Sequence, residues 1–125
     1  MQSIQNRRVL HWNARDEEVM IEISKKDWEL FREKLAVWQE NYMARLIKDY
    51  IALLSAGDRN ASDKFWELDN KIRTDRRHPG VILNVRKSEA IYDILRLIRL
   101  GVITYEDLSD FSEELQQTVK LILDR

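Results

Sequence analysis

The sequence predicts an all-α domain of four or five helices, one of them long and amphipathic, with at most one short β ribbon. Three observations predict it. Residues 24–56 hold no Gly or Pro, and they repeat large apolar residues at steps of three or four: Trp28, Phe31, Leu35, Trp38, Tyr42, Leu46, Tyr50 and Leu53. That spacing gathers side chains on one helical stripe. The remaining Gly and Pro positions, at Gly57, Pro79, Gly80 and Gly101, fall between segments that show the same spacing. Only residues 18–23 and 81–85 have the β-branched content of a strand.

Taken in order, residues 1–15 carry no clear periodicity, and Val9, Leu10 and Trp12 mark a segment that can dock as an arm (residues 1–17) on a single domain covering 1–125. Residues 18–23 alternate, with Val19, Ile21 and Ile23 on one face and Glu18, Met20 and Glu22 on the other, which is the period of a half-buried strand. Ser24 with Asp27 forms a shortened capping box at the start of the long helix, and Gly57 stands where a C′ glycine closes it. An unbroken helix here is about 46 Å long at 1.5 Å per residue. A globule of this size has a radius of gyration of only about 14 Å, so the stripe is expected to need a partner.

Asn60 or Ser62 caps a second helix carrying Phe65, Trp66, Leu68 and Ile72; it ends in Arg73, Arg76, Arg77 and His78 before the Pro79-Gly80 stop. Ser88 opens a third helix whose Ile91, Ile94, Leu95 and Ile98 form the buried face, and Gly101 ends it. Thr104 and Asp107 repeat the shortened box. A short turn over 105–110 then leads through Phe111 and Ser112 into a last helix with Leu115, Val119, Ile122 and Leu123 inside.

Composition narrows the function classes. With 34% charged and 44% hydrophobic residues and a net charge of −1, the chain is too apolar for disorder and too evenly charged for a membrane protein. No apolar run approaches the roughly 20 residues that span a bilayer, so no membrane association is expected. The N-terminus lacks the apolar centre of a signal peptide, and the absence of cysteine fits a reducing, cytoplasmic setting. Charge is uneven along the chain. Residues 71–99 hold 8 basic and 3 acidic residues and residues 100–125 hold 2 and 6, so the middle is basic and the end acidic.

No reactive constellation emerges, and the chain is read as a non-enzyme without cofactor or metal. Its two histidines, His11 and His78, lack a second His or a Cys at ligand spacing, and His78 sits at a helix end where a capping role suits it. Pairs such as Glu106-Asp107 and Glu113-Glu114 read as helix N-terminal charge. Three isolated glycines cannot form the cradle of a Walker or Rossmann site.

Two binding readings remain. In the first, an aromatic helix face made of Trp28, Phe31, Leu35, Trp38 and Tyr42, with Trp12 from the arm, contacts a protein partner or a second copy in an adaptor or regulatory role. In the second, Lys71, Arg73, Arg76, Arg77, Arg86 and Lys87 form a nucleic-acid surface around the Pro79-Gly80 turn. No aromatic side chains are interleaved among these cations, which favours the first reading.

Two resemblances bear on these readings. If the long segment breaks near Gln39-Glu40-Asn41, the order strand, helix, helix between Val19 and Leu54 resembles the ribbon-helix-helix pattern, which dimerises through its strands and reads the major groove with outward strand residues. Here those residues are Glu18, Met20 and Glu22, two of them carboxylates that repel phosphate. The segments WNARDEEVMIEISKKDWELF from Trp12 and GVITYEDLSDFSEEL from Gly101 are similar to those of short uncharacterised bacterial proteins, some with transporter-type labels. That resemblance implies a bacterial cytoplasmic origin and supplies no activity and no site residues.

Overall fold

A computed structural model describes residues 22–125. The expected arm with Trp12, and Val19 and Ile21 of the expected strand, lie outside them. Among the described residues the fold is all-α. Its four α-helices are α1 (Lys25–Ser55), α2 (Ala61–Asp75), α3 (Ala90–Arg99) and α4 (Glu113–Leu123), with 3₁₀ turns at Lys87–Glu89 and Tyr105–Leu108. The chain divides into two compact units. Unit 1 takes the described residues up to Glu33 together with Val85–Arg125, and unit 2 is Lys34–Asn84.

The sequence allows one long helix or two stacked in sequence; α1 is continuous over 31 residues and contributes residues to both units. Ser24 Oγ accepts the Asp27 N–H at 3.0 Å, so the predicted start holds. The Asp27 carboxylate does not complete a reciprocal box. It is buried and accepts from Ser112 N at 3.0 Å and from Ser112 Oγ at 2.6 Å. Ser112 Oγ in turn accepts the Leu115 N–H at 3.1 Å, capping α4, so the first turns of α1 and α4 are joined through one carboxylate.

The core of unit 1 draws Ile23 and Phe31 from the start of the chain, Ile91, Ile94, Leu95 and Leu97 from α3, and Leu115, Val119 and Ile122 from α4. Val102, Ile103, Leu108 and Phe111 fill in from the connecting turns. α3 packs against α4 and is buried well beyond its predicted stripe, since Ala90, Asp93 and Leu97 on its flank are also inside. Burial, with Glu89 nearby, holds the Asp93 carboxyl above its usual range, and Arg96 opposes them.

α3 stops at a glycine whose φ of +77° only a residue without Cβ adopts freely. Gly101 N donates to Ile98 O at 3.0 Å and Val102 N to Leu97 O at 2.9 Å, the paired bonds of a Schellman cap. Thr104 and Asp107 form the expected reciprocal box.

Unit 2 is a helical hairpin of the remainder of α1 with α2 and the segment that follows. Its α1 end differs from expectation. Gly101 is the only glycine with positive φ among the described residues, so Gly57 is not a left-handed cap. The open carbonyls of α1 are taken instead by Lys64 Nζ, which donates to Leu54 O at 3.0 Å and Ala56 O at 2.9 Å. Residues 81–85 form no strand; Val81 N and Ile82 N turn back to donate to His78 O.

The His78–Gly80 turn is held to α1 by three contacts. Gln39 Nε2 donates to Pro79 O at 2.9 Å, the His78 ring stacks on Tyr42 with centroids 4.7 Å apart, and Gly80 lies directly against the Tyr42 ring. A Cβ at position 80 would overlap that ring. Gly80→Ala is therefore expected to destabilise unit 2 by about 1–3 kcal/mol, read as a lower denaturation midpoint. The double variant with Tyr42→Ala should recover part of the loss.

Candidate interaction surface

The structure sorts the predicted aromatic stripe into two groups. Phe31, Leu35 and Trp38 are buried, so a partner reaches them only where the fold opens. An amphipathic stripe is read equally well by the chain's own core and by a foreign surface. Trp28 is half-buried, with the Arg32 guanidinium 5.1 Å from its ring centroid. Tyr42 is half-buried between His78 and Arg45. Trp12 lies outside the described residues.

The exposed apolar side chains sit elsewhere, mostly in unit 2. Ile47, Ile51 and Leu54 on α1 and Phe65, Trp66 and Ile72 on α2 are all exposed, Phe65 and Trp66 at 61% each. Ile47, Ile51 and Leu54 follow steps of four and three, a second apolar line beside Leu46, Tyr50 and Leu53. A sector that wide exceeds what one neighbouring helix covers. On α2, Phe65 and Ile72 are two turns apart on one line, while Trp66 is rotated about 100° from Phe65. The two rings meet edge to face at 4.9 Å. No residue of the 15-residue α2 is buried.

Between the helices of unit 2 runs an open groove of 200 Å³, lined by Met43, Leu46, Ile47 and Tyr50 of α1, Ile72 and Asp75 of α2, and Arg76 and Val81 beyond it. Its walls are apolar apart from one rim. There Tyr50 Oη donates to Asp75 Oδ2 at 2.5 Å. Burial first, then this bond and the carboxylate's charge, push the Tyr50 phenol up to about 12. A free tyrosine titrates near 10, so this pairing contributes its stability fully below about pH 10 and loses it as pH rises through about 12. Tyr50→Phe should cost about 1 kcal/mol at neutral pH. It should also remove the latest phenolate step from an absorbance titration.

The basic candidates divide. Lys71, Arg73, Arg76 and Arg77 are exposed in unit 2, and Arg86 and Lys87 belong to unit 1. Arg73 pairs with Asp69 at 3.0 Å, Arg76 borders the apolar groove, and Asp75 stands among them. The cations are therefore interleaved with carboxylates.

In unit 1 a depression of 240 Å³ contains Ser24, Asp27, Asp110 and Ser112. Its hydroxyl and carboxylate groups already hold the starts of α1 and α4, a structural use for a Ser–Asp pair. Among the described residues no group of three or more His, Asp or Glu is placed to hold a metal ion, and no helix is long and apolar enough to cross a membrane. Comparison with protein-family models, curated proteins and solved structures finds no match.

Proposed function

We propose that this protein is a non-enzymatic binding module whose docking surface is the apolar face of the α1–α2 hairpin. The observation that carries this reading is α2 itself, an amphipathic helix of 15 residues with none buried and two aromatic rings in solvent. Helices of about 12–15 residues are marginal on their own in water and draw most of their stability from packing an apolar face. Ile47 and Ile72 meet in one groove and the Phe65 and Trp66 rings touch, and exposed apolar patches mark interaction sites. The adjacent Phe and Trp belong to the residue types enriched where binding energy concentrates. The role is that of an adaptor or regulator.

Site-specific photo-crosslinking in the native cell tests it. Benzoylphenylalanine replacing Trp66 or Ile51 should yield discrete protein adducts, and the same probe replacing Lys48, off the apolar sector, should not. No adduct from either apolar position would end the proposal. The nucleic-acid reading of residues 71–87 demands salt-sensitive binding that weakens when Arg76 and Arg77 are neutralised; a gel-shift series without a retarded band would retire it.

A further inference from the structure

We infer that Asp93 makes unit 1 a proton-operated device: the packing of α3 is firmest while this carboxyl carries a proton and loosens when it ionises. The docking face lies in unit 2 and plays no part in it.

Among the described residues two acidic side chains are buried, Asp27 at 4% exposure and Asp93 at 8%. They differ in what receives their charge. Asp27 accepts from Ser112 N and Oγ. No hydrogen bond or ion pair engages Asp93 among the described residues; Glu89 and Arg96 act on it through their charge alone. Asp93 also stands where α3 needs an apolar side chain. Ala90 and Leu97, three residues before it and four after, share its line and have no exposed surface. A carboxylate held there without donors gives up its water and receives nothing in exchange, a cost far larger for the ion than for the neutral acid.

The surrounding charges divide. Glu89, in the 3₁₀ turn that leads into α3, opposes ionisation, and Arg96, one turn further along α3, favours it. Both are exposed, so salt and water weaken both. The position of Asp93 in the first turn of α3 also favours the ion, through the helix dipole. α4, packed on α3, turns Leu115, Val119 and Ile122 inward, while its Glu113, Glu114 and Lys120 are exposed. Burial outweighs the rest and holds the carboxyl above its usual range.

The unfolded chain releases this proton near pH 3.9, and the folded chain releases it at a higher pH. Between the two values the native state keeps a proton that the unfolded state has lost. Below about pH 4 the fold therefore carries no penalty from Asp93, and stability falls as pH rises through the folded value.

Urea denaturation at about pH 7.5 and about pH 4 tests this with Asp93→Asn, which keeps the shape of the neutral acid. The variant should show the higher midpoint at the upper pH, and most of that advantage should vanish at the lower. Adding Glu89→Gln to both chains should narrow the gap, and adding Arg96→Gln should widen it. NMR titration of the Asp93 carboxyl in the unaltered chain needs no variant to fold, and its midpoint should lie above about 3.9. A carboxyl that titrates at or below that value overturns the inference whatever the variants do. A folded Asp93→Asn chain no more stable than wild type at the upper pH, or one whose advantage is the same at both, overturns it too, since the effect would then be packing and not charge.

Discussion

Replacing Phe31 by alanine is expected to destabilise the protein by about 3–5 kcal/mol, measured as the loss of unfolding free energy in a denaturant titration. Phe31 has no exposed surface and stands 6.1 Å from Trp28, centroid to centroid. Its ring lies in the part of α1 that belongs to unit 1, whose other buried residues come from α3, α4 and the turns around them. Truncation removes the transfer free energy of the ring and leaves a cavity that rigid helices cannot fully close. A single domain has only about 5–15 kcal/mol to lose, so the variant should keep only part of its stability margin. Phe31→Leu, which keeps most of the volume, should cost much less. The contrast with Phe65 makes the result informative. Both residues read as apolar helical positions in the sequence, yet truncation of Phe65, 61% exposed, should leave the fold of a single chain nearly unchanged.

Asp27→Ala is the second large effect, expected at about 2–4 kcal/mol. The carboxylate accepts two bonds from Ser112, through N and Oγ. Hydrogen bonds to a charged group contribute about 1.5–3 kcal/mol each, and a donor left without acceptor adds a desolvation cost. Losing Asp27 also frees Ser112 Oγ to rotate away from the Leu115 N–H that it caps. Hydrogen exchange should therefore accelerate at Leu115 and Gln116, whose amides bond Ser112 at the start of α4, before the rest of unit 1 is affected. Asp27→Asn, which keeps one acceptor oxygen, should fall between the two. Exchange at Leu115 that is unchanged in Asp27→Ala would show that Ser112 holds the cap unaided.

Features that depend on neighbours along the chain were legible in the sequence. Ser24, Ser112 and the Thr104/Asp107 box begin their elements as expected, and Gly101 ends α3, whereas whether α1 runs unbroken past Glu40 was left open by a run without Gly or Pro and is settled by its 31 continuous residues. The buried faces of α3 and α4 match their periodicity at Ile91, Ile94 and Leu95 and at Leu115, Val119 and Ile122. Features made by distant residues were not legible. Nothing about Asp27 announces a hydroxyl partner at Ser112, nor does Gln39 point to the Pro79 carbonyl. Which rings of a long stripe face inward is likewise decided by what packs on it. Phe31, Leu35 and Trp38 are covered while Ile47, Ile51 and Leu54 are not, though the spacing is helical throughout.

Unit 2 is a single uninterrupted stretch, whereas unit 1 is assembled from pieces on either side of it. During translation the hairpin therefore emerges from the ribosome ahead of Val85–Arg125. Phe31 has no companions until that later portion arrives, so the nascent protein displays its greasy hairpin ahead of any finished interior. Domains form as units as they emerge. Chaperone engagement and pairing between neighbouring polysomes should accordingly centre on residues 34–84.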